Sequence, residues 1–175
     1  MIIAEQKKRT NIAEYILYMW QIEDIIRVYK LDIELINKNI IEKFDQPESV
    51  KREIKLWYSE LIDLMKLENI SEHGHLKFII RIIGKLNDLH IYLLKTKIEI
   101  KYHEYFTKAY PNIEEFRLKL NNPDGNDIEI CFNALYALLL LRLKKTEISA
   151  ETNNAMTTFS NLLAYLSVKY KQNQN

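Results

Sequence analysis

The chain has 175 residues, with 25 Lys and Arg against 24 Asp and Glu, so its formal net charge at pH 7 is +1. This balance gives no electrostatic reason to expect a nucleic-acid partner. A single cysteine, Cys131, excludes an internal disulfide and a cysteine-rich zinc site. Glycine and proline are scarce, and the apolar residues recur at three- and four-residue spacing. These patterns predict an all-α fold, a single globular bundle of about six to seven helices.

In the first part of the chain, helices are predicted over about residues 10–29, 32–44 and 47–68. Thr10 or Asn11 can cap the first of them. A short interruption of the helical pattern near residue 30 separates the first two helices, and Pro47 begins the third. The first helix has a wide apolar face, which suggests that it lies near the centre of the domain.

The second part of the chain is predicted to begin with one long central helix over about residues 72–109, which ends before Pro111. The elements that follow are a short helix at about 112–120, a loop at 121–126, an apolar helix at about 127–144, and a last helix from the cap Ser149 to about residue 170. Residues 1–170 are therefore predicted as one helical domain, and residues 171–175 as a polar, disordered tail.

Neither a membrane span nor a signal peptide is predicted. The apolar residues 1–4 precede the charges, whereas a signal peptide places its charges before a longer apolar core. The most apolar stretch, residues 128–143, is interrupted by Glu129 and Arg142 and is shorter than the ~20 residues of a spanning helix. We therefore expect a soluble, cytoplasmic protein without a membrane partner.

Ionisable side chains interrupt two of the predicted apolar faces. Glu23 continues the stripe of the first helix, and Arg27 follows it at the i+4 spacing that favours an ion pair. His90 falls within the stripe of the long helix. With Glu14 and His75 they form a candidate pocket or buried polar cluster. The alternative is structural: an ion pair that holds helices in register, and a core histidine that bonds a neighbour.

The histidines do not predict a metal site. His73 and His75 are two positions apart, which puts them on different faces of a helix. Glu72 and His75 match the E-x-x-H spacing of helical di-metal sites, but those sites need the motif on two helices. We therefore expect no metal and no cofactor. Cys131 lies in an apolar segment and is expected to be a small buried hydrophobe.

Aromatic side chains are concentrated on the first and third helices, among them Tyr18, Trp20, Trp57 and Tyr58. If they are exposed, they form a partner surface; if they are buried, they belong to the core. Basic residues spread along 77–108 are explained more simply by a solvated helix face than by a phosphate-binding track. We therefore expect no nucleic-acid partner.

Five segments of the chain resemble segments of known proteins. They are NIAEYILYMWQIEDIIR at 11–27, EHGHL at 72–76, PNIE at 111–114, DIEICF at 127–132 and EISAET at 147–152. Their strings and their order resemble an uncharacterised bacterial family of short proteins, classed as a domain of unknown function. The resemblance covers nearly the whole chain. It implies one domain and a bacterial source, and it brings no activity or catalytic residues.

No phosphate-binding loop, dinucleotide fingerprint or nucleophile elbow is present in the sequence. The sequence therefore leaves open whether the protein is an enzyme. It favours a non-enzymatic helical interaction or regulatory domain, whose partner is another protein or a second copy of the chain. The alternative is a small-molecule-binding or enzymatic helical bundle with a polar pocket between helices.

Overall fold

The computed structural model describes residues 2–120 and 124–173, and this part of the chain contains helices and no strand. The predicted all-α class is therefore confirmed. The helices are α1 (Ile2–Thr10), α2 (Ile12–Val28), α3 (Ile33–Asn39), the 3-10 helix η1 (Ile41–Lys43), α4 (Glu48–Leu67), α5 (Lys77–Thr96), α6 (Ile100–Lys119), α7 (Asp127–Leu143) and α8 (Ala150–Gln172).

The chain divides into two compact units. The first comprises Met1–Thr10 and Glu14–Arg81, and the second comprises Asn11–Ala13 and Ile82–Asn175. In the first unit, α3 and η1 pack together and against α4. In the second unit, α6, α7 and α8 pack against one another. None of the described helices combines the length and the hydrophobicity that a transmembrane span requires.

The start of α2 agrees with its prediction, and the helix before it was not predicted. The Asn11 side-chain oxygen accepts a hydrogen bond from the Ala13 N–H at 3.1 Å, which makes Asn11 the residue that caps α2. α2 ends at Val28, and the predicted break follows at Lys30 and Leu31, whose φ angles are 53° and 57°. Such left-handed residues cannot continue a right-handed helix.

The helix predicted over about 32–44 is shorter and ends in a 3-10 turn. The Asp32 side chain accepts hydrogen bonds from the N–H groups of Glu34 and Leu35 and so caps α3. At the other end, the Asn39 side chain donates to the Leu35 carbonyl. Asparagine has a low helix propensity because its side chain competes for backbone groups, and the chain leaves the α conformation at Ile40.

The prediction of one long helix over about 72–109 is wrong, since α5 and α6 are separate. Lys97 has a φ of 53°, in the left-handed region, although neither glycine nor proline is nearby. The corner is held within the second unit: Glu99 accepts hydrogen bonds from Lys169 Nζ and Tyr165 Oη, each at 2.5 Å. These contacts to α8 lie some seventy residues away in sequence, so local spacing could not reveal them.

Pro111 does not end a helix, which corrects both the predicted stop before it and the predicted short helix at about 112–120. It lies inside α6, where a proline lacks the N–H of the helical hydrogen bond and costs about 3 kcal/mol. The helix continues because Ala109 and Ile113, on either side of the proline, are both fully buried. Burial of α6 in the second unit thus outweighs the local penalty.

The last two helices agree with their predictions. α7 is buried on several sides, including Ile128, Ile130 and Phe132, as its apolar sequence indicated. Ser149 caps α8 by accepting a hydrogen bond from the Thr152 N–H at 3.1 Å. The predicted tail at 171–175 is wrong at its start, because α8 continues to Gln172. Residues 174–175, and residues 121–123 of the predicted loop, lie outside the described part of the chain.

Candidate functional site

The carboxylate of Glu23 is completely buried in the first unit and has two partners in the loop before α5. Its Oε1 accepts a hydrogen bond from the Leu76 N–H at 2.9 Å, and its Oε2 lies 2.6 Å from Nδ1 of His75. The His75 ring stacks on Trp20, with ring centroids 4.1 Å apart and an interplanar angle of 11°. Because a buried carboxylate is costly unless it is hydrogen-bonded, these partners make its burial tolerable.

Arg27 does not pair with Glu23, so the predicted ion pair is wrong. Its Nη1 donates to Asp24 at 2.9 Å, and its Nη2 donates to the carbonyl oxygens of Ile70 and Gly74. Both carbonyls belong to the loop that Glu23 also contacts. Glu23 and Arg27 therefore contact the same loop through different groups: Glu23 contacts the His75 ring and the Leu76 N–H, and Arg27 contacts two carbonyl oxygens.

The connecting loop, residues 68–76, is therefore held to α2 by two charged side chains. Asn69 and Gly74 have φ angles of 57° and 93°, so the loop turns twice through the left-handed region. A side chain at position 74 would also crowd Ile70, whose Cγ2 would lie 3.3 Å from the added Cβ. Glu68 closes the loop by accepting a hydrogen bond from the Lys77 N–H at 2.7 Å. The sequence EHGHL thus encodes a fixed turn into α5.

Chemically, the Glu23–His75 pair orients an imidazole. A carboxylate oxygen accepts hydrogen bonds, so the contact is satisfied when His75 Nδ1 is the donor, and it leaves Nε2 as the ring nitrogen that Glu23 does not use. The His75 side chain is 31% exposed, which allows that access. Metal-binding and catalytic histidines use the same orientation by a carboxylate. However, within residues 2–120 and 124–173 no group of three or more His, Cys, Asp or Glu side chains could hold a metal ion.

Glu14 is not part of this cluster, in contrast to the prediction. Its side chain is exposed and forms an ion pair with Lys7 of α1 at 2.9 Å. Glu14 precedes Glu23 by nine residues, which is roughly 13 Å along a helix. Separation along α2 therefore keeps the two carboxylates apart.

His90 belongs to the second unit and is 3% exposed. Its Nδ1 lies 2.6 Å from Tyr102 Oη, and its Nε2 lies 3.4 Å from Asp127 Oδ2. The ring also meets Phe106 edge-on, with centroids 5.0 Å apart. Both ring nitrogens therefore have polar partners, as expected for a core histidine. Glu23 and His90 lie in different units and contact different side chains.

Asp127 connects His90 to the partly buried Arg117. Arg117 donates from Nη2 to Asp127 at 2.5 Å, from Nε to Glu114 at 3.2 Å, and from Nη1 to the Gly125 carbonyl. The hydrogen bond from His90, together with the charges of His90 and Arg117, holds the pKa of Asp127 below its usual 3.8, although burial opposes this shift. Asp127 lies in the first turn of α7, whereas His90 and Arg117 lie on α5 and α6, so the local sequence does not reveal these partners.

The predicted partner surface on the first and third helices is wrong for two of its four members. Trp20 is 2% exposed and Tyr58 is 1% exposed, so both are core residues. Tyr18 and Trp57 are half-buried, and the Trp57 ring meets Tyr58 edge-on with centroids 5.2 Å apart. Burial raises the pKa of Tyr18 to about 12. These aromatic side chains contribute mainly to the packing of the core, because aromatic rings bury large apolar areas there.

An open groove of about 940 Å³ lies in the first unit, between α1 and residues 44–54, which include the start of α4. We call it the α1–α4 groove. Its apolar lining consists of Ile2, Ile3, Phe44, Val50 and Ile54. Sequence reasoning missed this feature because α1 was not predicted: four of its nine residues are charged. The one-turn spacing of Val50 and Ile54 was the available signal.

Comparison with known proteins identifies a family. The model of a family described as Domain of unknown function (DUF4924) matches residues 1–175. No curated protein and no solved structure matches the chain. The resemblance to a family of unknown function is thus confirmed, while the bacterial source stays a prediction. Since the match spans the whole sequence, the chain belongs to the DUF4924 family, a domain of unknown function.

Proposed function

We propose that this protein is a non-enzymatic interaction domain and that its first unit binds a helical segment of a partner protein in the α1–α4 groove. The observation that supports the proposal is the position of two exposed isoleucines along the groove. Ile2 is 66% exposed and Ile3 is 46% exposed, beside the buried Ile54. Adjacent exposed apolar side chains at a concave surface are typical of interaction sites.

The size of the groove also favours a helix as its occupant. Small-molecule pockets enclose about 300–1,000 Å³ and bury most of their ligand. This groove, at about 940 Å³, reaches the upper end of that range and is open. An amphipathic helix that lays its apolar face into a hydrophobic groove needs such a shape.

The energetic gain follows from the exposed fractions of the two isoleucines. Full burial of one isoleucine contributes about 1.5–3 kcal/mol. Covering the remaining 66% of Ile2 and 46% of Ile3 then contributes about 2–3 kcal/mol in total. This corresponds to roughly a 30- to 150-fold change in affinity.

The proposal is tested with a synthetic amphipathic helix that has leucines on one face and glutamines on the other. We expect saturable binding, with amide chemical-shift changes confined to α1 and residues 44–54. The double variant Ile2→Gln/Ile3→Gln should weaken binding by the factor given above. Leu67→Gln is the matched control, because Leu67 is 77% exposed in the same unit and does not line the groove. Absence of saturable binding, or an equal loss in the control, contradicts the proposal.

A second copy of the chain is one form that the partner could take. Sedimentation at several protein concentrations distinguishes it: a dimer that the Ile2→Gln/Ile3→Gln variant abolishes identifies the second copy as the occupant. A monomer in both proteins points to a different partner.

A second candidate function is small-molecule binding at His75, and the observation that favours it is the partly exposed ring held by the buried Glu23 carboxylate. Thermal-shift screening against metabolites and divalent metals tests it. A ligand that stabilises the wild type but not His75→Gln supports this function. Ligands that stabilise both proteins equally act elsewhere.

A further inference from the structure

The charges around the α1–α4 groove identify the class of helix that it accepts. Among the lining residues, Glu5, Asp45 and Glu53 are acidic and Arg9 is basic, so the groove carries −3 + 1 = −2. The whole chain has a formal net charge of +1. The groove is therefore locally negative on a protein that is nearly neutral.

Some surface carboxylates of the first unit pair with a basic side chain and others do not. Glu14 pairs with Lys7 at 2.9 Å, and Glu34 pairs with Lys55 at 2.8 Å. Asp24 and Glu48 likewise have basic partners within 3.3 Å. Among the described residues, no basic side chain forms an ion pair with Glu5, Asp45 or Glu53, which is also true of Glu60 and Asp63 on α4. The negative charge of the groove is therefore not neutralised by ion pairs at its own carboxylates.

The carboxylates also flank the apolar lining from two directions. Glu5 lies on α1, one turn after Ile2. Asp45 and Glu53 lie on the opposite side, next to Phe44 and Ile54 respectively. A helix with its apolar face in the groove would therefore bring the residues on both edges of that face near carboxylates.

We infer that the partner segment is a basic amphipathic helix, with Lys or Arg on the edges of its apolar face. This inference rests on the proposed function of the groove and specifies its partner. Opposite charges at the edge of a hydrophobic contact select partners by attraction and reject acidic helices by repulsion. The same carboxylates repel an anionic membrane surface, so the observations favour a protein helix over a lipid bilayer.

The test uses three synthetic helices that share one leucine face and differ only at its edges, which carry Lys, Gln or Glu. Their affinities for the full-length protein are measured by fluorescence anisotropy at low and high salt. Each exposed ion pair of this kind contributes a modest free energy. Three of them together should make the affinity of the Lys peptide about tenfold higher than that of the Gln peptide at low salt. The advantage should shrink at high salt because the charges are screened.

Two charge-neutralised proteins complete the test. The groove variant Glu5→Gln/Asp45→Asn/Glu53→Gln should bind the Lys peptide no better than the Gln peptide. The control variant Glu14→Gln/Glu34→Gln removes carboxylates from the same unit outside the groove and should keep the preference. All five positions are exposed, so circular dichroism should show unchanged helicity in both variants.

The outcomes separate the two proposals. If the Gln peptide binds in the groove but the Lys and Glu peptides bind equally well, the basic-helix inference is overturned and the interaction domain stands. If none of the peptides binds there, both are overturned. A loss of preference in the control variant equal to that in the groove variant overturns the inference, as does binding to phosphatidylserine vesicles without binding to the Lys peptide.

Discussion

Replacing Glu23 with alanine removes the carboxylate that holds the connecting loop, residues 68–76, to α2. The Leu76 N–H then loses its acceptor in a fully buried position. An unsatisfied buried donor costs about 1–3 kcal/mol. His75 also loses its partner but is partly exposed, so water can replace much of that contact. We expect the free energy of unfolding to fall by about 2–4 kcal/mol.

Glu23→Gln should have a smaller effect than alanine. The amide oxygen can still accept from the Leu76 N–H, whereas the amide NH₂ faces His75 Nδ1 and forces the ring hydrogen onto Nε2. The charge-assisted contact is lost, at a cost of about 1 kcal/mol. Glu14→Gln on the same helix is the matched control, since Glu14 is exposed and its pairing is a surface ion pair.

Two measurements check the series. Urea unfolding should rank the stabilities as wild type, Glu14→Gln, Glu23→Gln and Glu23→Ala, from highest to lowest. Hydrogen exchange at the Leu76 amide reports the loop itself, and we expect it to accelerate most in Glu23→Ala. If Glu23→Ala lies within about 0.5 kcal/mol of the wild type and the Leu76 amide exchanges as before, the interpretation of Glu23 as the anchor of the loop is refuted.

Three further predictions concern the second unit. Asp127→Asn should destabilise the protein at neutral pH by about 1–3 kcal/mol, because its partners Arg117 and His90 are only 15% and 3% exposed and lose a charged acceptor. Since the pKa of Asp127 is lowered in the folded protein, its contribution is complete above its usual 3.8 and is lost as the pH falls through the folded-state pKa; the difference in thermal stability between the two proteins should therefore be smaller at pH 2 than at pH 7. Burial raises the pKa of the Cys131 thiol, so iodoacetamide should label it only after unfolding, and rapid labelling of the native protein would show that its surroundings open. Pro111→Ala restores a helical N–H at an exposed position of α6 and should raise the melting temperature, whereas a lower value would show that the proline itself is needed.

Much of the helical structure could be predicted because its causes are local. The three- and four-residue spacing of apolar side chains indicates a helix wherever one face is buried. Asn11 and Ser149 cap α2 and α8 with their own side chains, and both were identifiable as capping residues from sequence. The apolar sequence of α7 predicted the burial of Ile128, Ile130 and Phe132 in its first part, whereas Leu140, Leu141 and Leu143 near its end are exposed. Each of these features depends on residues within a few positions of one another.

The failures have a common physical reason, which is that the deciding contacts join residues far apart in sequence. Lys97 adopts its left-handed conformation next to a corner that α8 holds through Glu99. Arg27 has the i+4 spacing that would allow an ion pair with Glu23, but it donates instead to loop carbonyls some forty residues later in the chain. Both positions look ordinary in the sequence, because a helical period says nothing about which distant element will pack there.

The candidate sites show the same division between features that are visible in the sequence and features that depend on packing. The all-α class is evident from the sequence alone, as are the interruptions of apolar faces by Glu23, Arg27 and His90. The packing of the helices brings His75 and the Leu76 amide to Glu23, and it provides Tyr102 and Asp127 as the partners of His90. It also places α1 beside residues 44–54, which completes the groove. Periodicity identifies which side chains turn inward, whereas the partner that each one meets depends on how the helices pack.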